Sequence, residues 1–268
     1  MSTVKPVPKE LATKNHHERD DRIRFDEVPH IYYIDGSSEG YVSVTTFNHG
    51  HFAHFDPDAV IANMIAKNRL SDPSNKYYGM TPEAIKEMWR LNGEAASGKG
   101  TQMHYDIECY YNGWKVENYS QEFHYFLKFR EDFPELVPYR TEWEVFHEDA
   151  KIAGSIDMVF ENPDGTIQIY DWKRCLEIPY EDTFSNKMAM TPCIGHLPDA
   201  KFWHYALQLN TYKRILEEKY GKKVTGLYLV ALHPDNAYKT YDRIEVPFLD
   251  KEVDDLFQNR MRQIQQQG

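Results

Sequence analysis

No run of apolar residues in this 268-residue chain approaches the ~20 that a membrane-spanning helix needs. The first residues also lack the apolar centre of a secretion signal, and their Glu and Asp argue against a transit peptide. A soluble intracellular protein is expected. Cysteine is scarce: Cys109, Cys175 and Cys193 lie far apart with no CxxC pair, which excludes a zinc ribbon or a disulfide framework and fits a reducing compartment. A basic excess is missing too. Net charge is −11, from 31 Lys and Arg against 42 Asp and Glu, so counterion release from a general basic surface cannot drive nucleic-acid binding. Any such binding must be local. No internal repeat is visible.

What is abundant is core-forming material. Hydrophobic residues make up 41% of the chain and aromatics 14%, enough for a packed core and contrary to general disorder. The length suits one embellished domain. Residues 1–22 are polar and aperiodic, and read as a flexible tail ahead of a single domain over 23–268. His30 to Ile34, a turn at Asp35 to Ser38 and Tyr41 to Thr46 suggest a hairpin. Asp56-Pro57 and Thr81-Pro82 open helices, Asn92-Gly93 interrupts the second, and further helices are expected over 94–111 and 120–131. Three β segments follow at 139–148, 152–161 and 166–174, then a helix at 202–220, strands near 224–232 and 238–246, and a last helix. This order predicts an α/β core at 136–268, with a central mixed sheet flanked by helices and a helical elaboration over about 23–135.

Chemistry concentrates in the middle strands. Asn162-Pro163-Asp164-Gly165 matches a type I turn closed by a left-handed glycine, giving a three-residue hairpin loop. If Asn162 then faces Thr166, the register sets Asp157 against Asp171. Facing carboxylates with Cβ atoms ~5 Å apart repel unless a cation lies between them. Strand period places Lys173 on the same face as Asp171. A carboxylate pair with an adjacent lysine can hold Mg²⁺, orient water and balance charge on a pentacovalent phosphorus.

Two helical patterns accompany it. Gly100, His104 and Glu108 share one helical face, as do Gln208 and Tyr212. In Thr141-Glu142-Trp143-Glu144-Val145, alternation puts both glutamates on one face. His49, His51 and His54 lack the spacing of a structural zinc site and read as a loop near substrate or plain surface. Lys213-Arg214, Lys219 and Lys222-Lys223 add local positive charge.

Gly154 to Asp157 followed by Asp171-Trp172-Lys173 resembles the paired motifs of the PD-(D/E)xK nuclease superfamily. Gly100-Thr101-Gln102-Met103-His104-Tyr105-Asp106-Ile107-Glu108 and Gln208-Leu209-Asn210-Thr211-Tyr212 are similar to the GxxxHxxxE and QxxxY helices of its RecB-like branch, which includes mitochondrial, phage and giant-virus nucleases. The hairpin ending in Ser43-Val44-Thr45 is similar to viral members. The resemblance implies a restriction-endonuclease-like core and a Mg²⁺- or Mn²⁺-dependent deoxyribonuclease, an exonuclease on single-stranded or end-bearing DNA, in the cytoplasm or nucleus of a host if viral. It implies one or two ions on His104, Asp157 and Asp171, with the carbonyl of Trp172 and with Glu144 or Glu108. Lys173 would orient water, Gln208 would position Lys173 or that water, and Tyr212 would contact the phosphate or a base. With three cysteines, no iron–sulfur cluster is expected. A nicking or structure-specific endonuclease, an RNA-processing nuclease and a catalytically silent nucleic-acid-binding module are the alternatives.

Overall fold

The computed structural model describes residues 5–181 and 186–267. The chain divides into two compact units, residues 54–102 and the remainder. In chain order the elements are α1 (Glu10–Lys14), a 3-10 turn (Glu18–Arg22), β1 (Ile23–Asp26), β2 (Ile31–Ile34), β3 (Val42–Ser43), α2 (Val44–His49), α3 (Pro57–Ala66) and α4 (Pro82–Tyr111). They continue with α5 (Gln121–Asp132), β4 (Val137–His147), β5 (Ile152–Glu161), β6 (Ile167–Lys173), α6 (Lys201–Lys219), β7 (Val224–Ala231), β8 (Asp242–Glu245) and α7 (Asp250–Gln267). No helix of the described residues is long and apolar enough to cross a membrane.

β4, β5 and β6 form an antiparallel meander, α6 carries the chain over to β7, which pairs parallel to β6, and β8 closes the far edge antiparallel. This is the mixed α/β sheet flanked by helices that the element order predicts. Strand alternation divides its side chains between two cores. Ile167 and Ile169 of β6 join Leu207, Ile215 and Leu216 of α6, while Tyr170 and Trp172 join Phe126 and Phe129 of α5. With both faces covered, β6 is apolar on either side of its period, and Gln168, Asp171 and Lys173 are the exceptions.

The tight turn forms as its residues require. Asn162 N–H donates to Thr166 O at 2.7 Å, Gly165 N–H donates to Asn162 O at 2.9 Å, and Gly165 takes φ +79°. The β5–β6 register follows, from Glu161↔Ile167 to Met158↔Tyr170. β5 gives the whole of its other edge to β4, and its first residues pair in parallel with β3, Val42↔Ile152 and Ser43↔Ala153.

Several local expectations are corrected. The hairpin is β1 with β2, and Val44-Thr45-Thr46 are helical, although β-branched, because the Ser43 hydroxyl accepts Thr46 N–H and caps α2. Asn92-Gly93 does not interrupt α4, which runs through it as one helix. Glycine's cost of ~1 kcal/mol relative to alanine is too small to break so long a helix. Residues 10–22 are not tail-like. Arg19, 8% exposed, donates to both Glu148 oxygens at 3.1 and 2.7 Å, and Asp20 accepts from Arg140 at 2.6 Å and from the Trp143 indole at 2.9 Å. Paired, these polar residues can be buried against β4 at low cost.

Residues 54–102 carry their own small core, in which Ile61, Met64 and Ile85 are buried beneath Tyr77 and Trp89. Asp56 caps α3 by accepting from Asp58 and Ala59 N–H. The Trp89 indole donates to the Tyr77 hydroxyl at 2.9 Å, and Lys86 pairs with Asp58.

Candidate metal centre

β5 and β6 part just where their carboxylates begin. The ladder ends at Met158↔Tyr170, and the next residues in register are Asp157 and Asp171. There the Trp172 N–H donates to Asp157 Oδ2 at 3.0 Å, a side-chain acceptor in place of a backbone one. On its other side Asp157 meets Glu142. The β4–β5 ladder pairs Thr141 with Met158 and Trp143 with Ile156, leaving Glu142 and Asp157 between those pairs. Glu142 takes φ +41°, a left-handed conformation that costs a non-glycine residue of this size ~1–3 kcal/mol. Ser155 steadies it, its hydroxyl donating to Glu142 Oε2 at 3.0 Å.

His104, from the last turns of α4, completes the group. Its Nδ1 lies 3.5 Å from Asp157 Oδ2 and 3.7 Å from Glu142 Oε1. Ligand atoms of His104, Glu142 and Asp157 all fall within 4.8 Å of one another. Burial depresses the imidazole pKa, but the Asp157 and Glu142 charges outweigh it and lift it to about 9. Burial raises the Asp157 carboxyl, with Glu142 adding to the rise and His104 opposing it.

Asp171 and Lys173 form a second pair beside the first. Lys173 Nζ lies 2.7 Å from Asp171 Oδ2, with side-chain exposures of 18% and 2%. The same ammonium sits 4.5 Å from the Tyr205 ring centroid. Burial and then the Asp157 charge push the Asp171 carboxyl up to about 6, against the pull of Lys173. Burial works against the Lys173 ammonium, yet Asp171 and Asp157 hold its pKa above the ordinary lysine value.

Gln208 and Tyr212 lie on α6, with the two side chains neighbours and Tyr212 3% exposed. Tyr212 is seated by a glycine. A Cβ on Gly154 would stand 2.8 Å from the Tyr212 hydroxyl, 2.9 Å from its ring and 2.8 Å from Val44 Cγ2. Gly154→Ala is therefore expected to destabilise the fold by about 1–3 kcal/mol, as overpacked cores do. Thermal melts should show it, and Tyr212→Phe should restore part of the loss by removing the hydroxyl. Equal melting temperatures for wild type and Gly154→Ala would show the contact to be soft.

The residues singled out in the sequence thus fall into separate places. His104 and Asp157 meet; Asp171 and Lys173 stand together next to them; Glu108 and Glu144 lie outside the three-residue cluster. Burial raises Glu108 to about 8, with Glu142 and Glu27 adding to it, and raises Glu144 to about 7. The Trp172 side chain is core, 1% exposed among Phe126 and Phe129. Glu142 takes the place beside His104 that the resemblance gives to Glu144. Tyr205 beneath Lys173 carried no motif, and one helical turn from Tyr205 to Gln208 was its only sequence signal. Three of the late basic residues are already paired. Lys213 pairs with Glu217 and Asp250, Arg214 with Glu218 and Asp254, and Lys219 with Asp149.

The three-residue cluster fits a divalent cation. It offers one imidazole and two carboxylates. The two facing carboxylates of Glu142 and Asp157 share the His104 imidazole, and buried Asp171 Oδ2 makes no hydrogen bond in addition to its ion pair.

No protein-family model matches the sequence, and no curated protein does. Among solved structures, a protein from Eubacterium rectale provisionally named an exonuclease is similar at 11% identity and a TM-score of 0.37, over 84% of this chain and 79% of that one. The protein SSO0001 is similar at 14% identity and a TM-score of 0.32, over 85% and 78%.

Proposed function

We propose that this chain is a divalent-metal-dependent nuclease of the PD-(D/E)xK type, acting on DNA as an exonuclease that needs single-stranded or free ends. The observation that carries the reading is the convergence of His104, Glu142 and Asp157 within ligand reach of one another, next to the Lys173–Asp171 pair. His104, Glu142 and Asp157 would hold one ion, with Asp171 and the Trp172 carbonyl completing the set or serving a second. Bound there, Mg²⁺ or Mn²⁺ supplies a Lewis acid and positive charge at the scissile phosphate.

The chain's own groups do the rest. Lys173 has three donors; Asp171 takes one and the Tyr205 ring covers another face, which leaves one to orient the attacking water and to meet charge developing on phosphate oxygen. Asp171 keeps that ammonium protonated and in place. Gln208, on the adjoining face of α6, would position Lys173 or the water, with buried Tyr212 bonded to its side chain.

End-labelled linear and circular DNA, single- and double-stranded, incubated with Mn²⁺ or Mg²⁺ and then with EDTA, tests the proposal. Degradation of linear strands with sparing of circles is expected, and EDTA should abolish it. Cleaved circles would move the reading to a nicking or structure-specific endonuclease. Absence of cleavage of any polymer would leave only the binding module.

Metal binding should depend on pH with a fixed sign. The imidazole coordinates only as the neutral base, and its pKa in the metal-free protein is about 9. Below pH 9 a proton must leave for the ion to bind, so Mn²⁺ affinity should rise by up to about tenfold per pH unit towards 9 and flatten above it. Titration calorimetry from pH 6.5 upward measures the slope. His104→Gln should bind more weakly and lose it, and an unchanged slope in that variant would remove His104 from the site.

A further inference from the structure

The first histidine of the run at His49, His51 and His54 has a partner that the sequence does not announce. His49 ends α2, and α2 is held to α6 where the Thr211 hydroxyl comes within 3.3 Å of Asn48 Oδ1. The His49 ring centroid stands 5.7 Å from that of His204, in the first turn of α6. His204 is fixed on two sides. Its ring lies over buried Phe52 with centroids 4.0 Å apart, and its Nε2 is 2.8 Å from Asp199 Oδ1. With Nε2 committed to that carboxylate, Nδ1 makes no hydrogen bond among the described residues.

The pair shares its surroundings with Lys173. Tyr205, next to His204 in the chain, carries its ring 4.5 Å from the Lys173 ammonium. Burial lowers the His49 pKa, and the neighbouring His204 and Lys173 charges lower it further. Three groups able to carry positive charge therefore gather at one place in a chain of net charge −11. Asp171 answers Lys173 and Asp199 answers His204. The His49 side chain is exposed and has no ion pair or hydrogen bond among the described residues. Like charges disfavour one another until an anion joins them, and cations grouped beside a cleft raise the local concentration of an anionic substrate.

We propose that His49 and His204 bind a backbone phosphate of a single DNA strand, next to the phosphate that Lys173 meets, and so lead the strand across the start of α6 into the metal centre. Asp199 is a positioning residue that fixes the His204 ring. The inference rests on the nuclease reading for the presence of a strand at Lys173.

Fluorescence anisotropy tests it with a labelled single strand of about 12 nucleotides, titrated with the full chain in EDTA so that nothing is cut. The titration is run at about pH 5.5, below the ordinary imidazole pKa of ~6.5. Wild type is expected to bind. His49→Gln should raise Kd by about three- to tenfold and reduce the slope of log K against log salt by about 0.7, the share of one lost phosphate contact. His204→Gln should do the same. His49 is exposed, so its variant should fold as wild type does, which circular dichroism verifies. In the Mn²⁺ cleavage assay both variants should raise KM with kcat unchanged, because neither imidazole touches the reacting atoms. The proposal is overturned if wild type binds no strand, or if both variants leave Kd and the salt slope as they were. The nuclease reading is judged apart. Cleavage by wild type with binding unchanged in the variants would keep that reading and end this one, whereas binding weakened in both variants without cleavage of any polymer would keep the histidine pair and end the nuclease.

Discussion

Asp157→Asn is expected to remove metal-supported hydrolysis, by about 10³-fold or more, because the several kcal/mol that a bound cation contributes at the transition state would vanish with its ligand. The same substitution should leave the metal-free protein as stable as wild type or more so. Asparagine keeps an oxygen to accept the Trp172 N–H, and it removes a buried charge held close to Glu142. The sign follows from linkage. A carboxyl whose folded pKa is raised above its unfolded value weakens the fold as pH climbs through that folded pKa, and the amide has no such loss. Added Mn²⁺ separates the proteins further. At a hundred times its dissociation constant it should stabilise wild type by about 2.7 kcal/mol and the variant hardly at all. Melting curves with and without Mn²⁺, beside a cleavage assay, measure both effects. A variant that still gains stability from Mn²⁺ and still cuts would take Asp157 out of the site.

How much of this could be read from the chain depends on what fixed each element. Asn162 to Gly165 encode a turn of one length, and that turn sets Asp157 and Asp171 in register, because a slip of one residue would have exchanged Ile167 and Ile169, packed on α6, with the larger Tyr170 and Trp172, packed on α5. Glu142 was harder. Its place opposite Asp157 depends on the β4–β5 register, which is set by the loop around His147 to Ile152, where Ala150 N–H bonds His147 Nδ1 and Lys151 takes φ +48°. No turn signature announces that loop. Glu142 and Glu144 alternate alike, and only the left-handed backbone at Glu142 distinguishes them. The N-terminal segment was illegible for a related reason. Asn15, Arg19 and Asp20 are held through hydrogen bonds and ion pairs to residues more than a hundred positions away, and such contacts leave no period in the sequence. Val44 to Thr46 show local propensity losing to one capping hydroxyl.

Lys173→Met should lower kcat by about 10²–10³-fold, the ~2.7–4 kcal/mol typical of losing one preorganised transition-state contact, with KM little changed. Stability should fall as well. Methionine leaves Asp171, 2% exposed, as a buried carboxylate without its counter-ion, and breaking a buried pair from one side costs about 3–5 kcal/mol. A drop in activity alone is therefore ambiguous between lost chemistry and lost structure. The double variant Asp171→Asn with Lys173→Met resolves it. Both charges are then gone, the amide can hydrogen-bond where the carboxylate could not remain ionised, and most of the single variant's stability loss should be regained. Hydrolysis should not be regained, because the donor aimed at the phosphate is still missing. Recovery of both stability and cleavage in the double variant would mean that Lys173 serves only to neutralise Asp171 and has no part in the reaction.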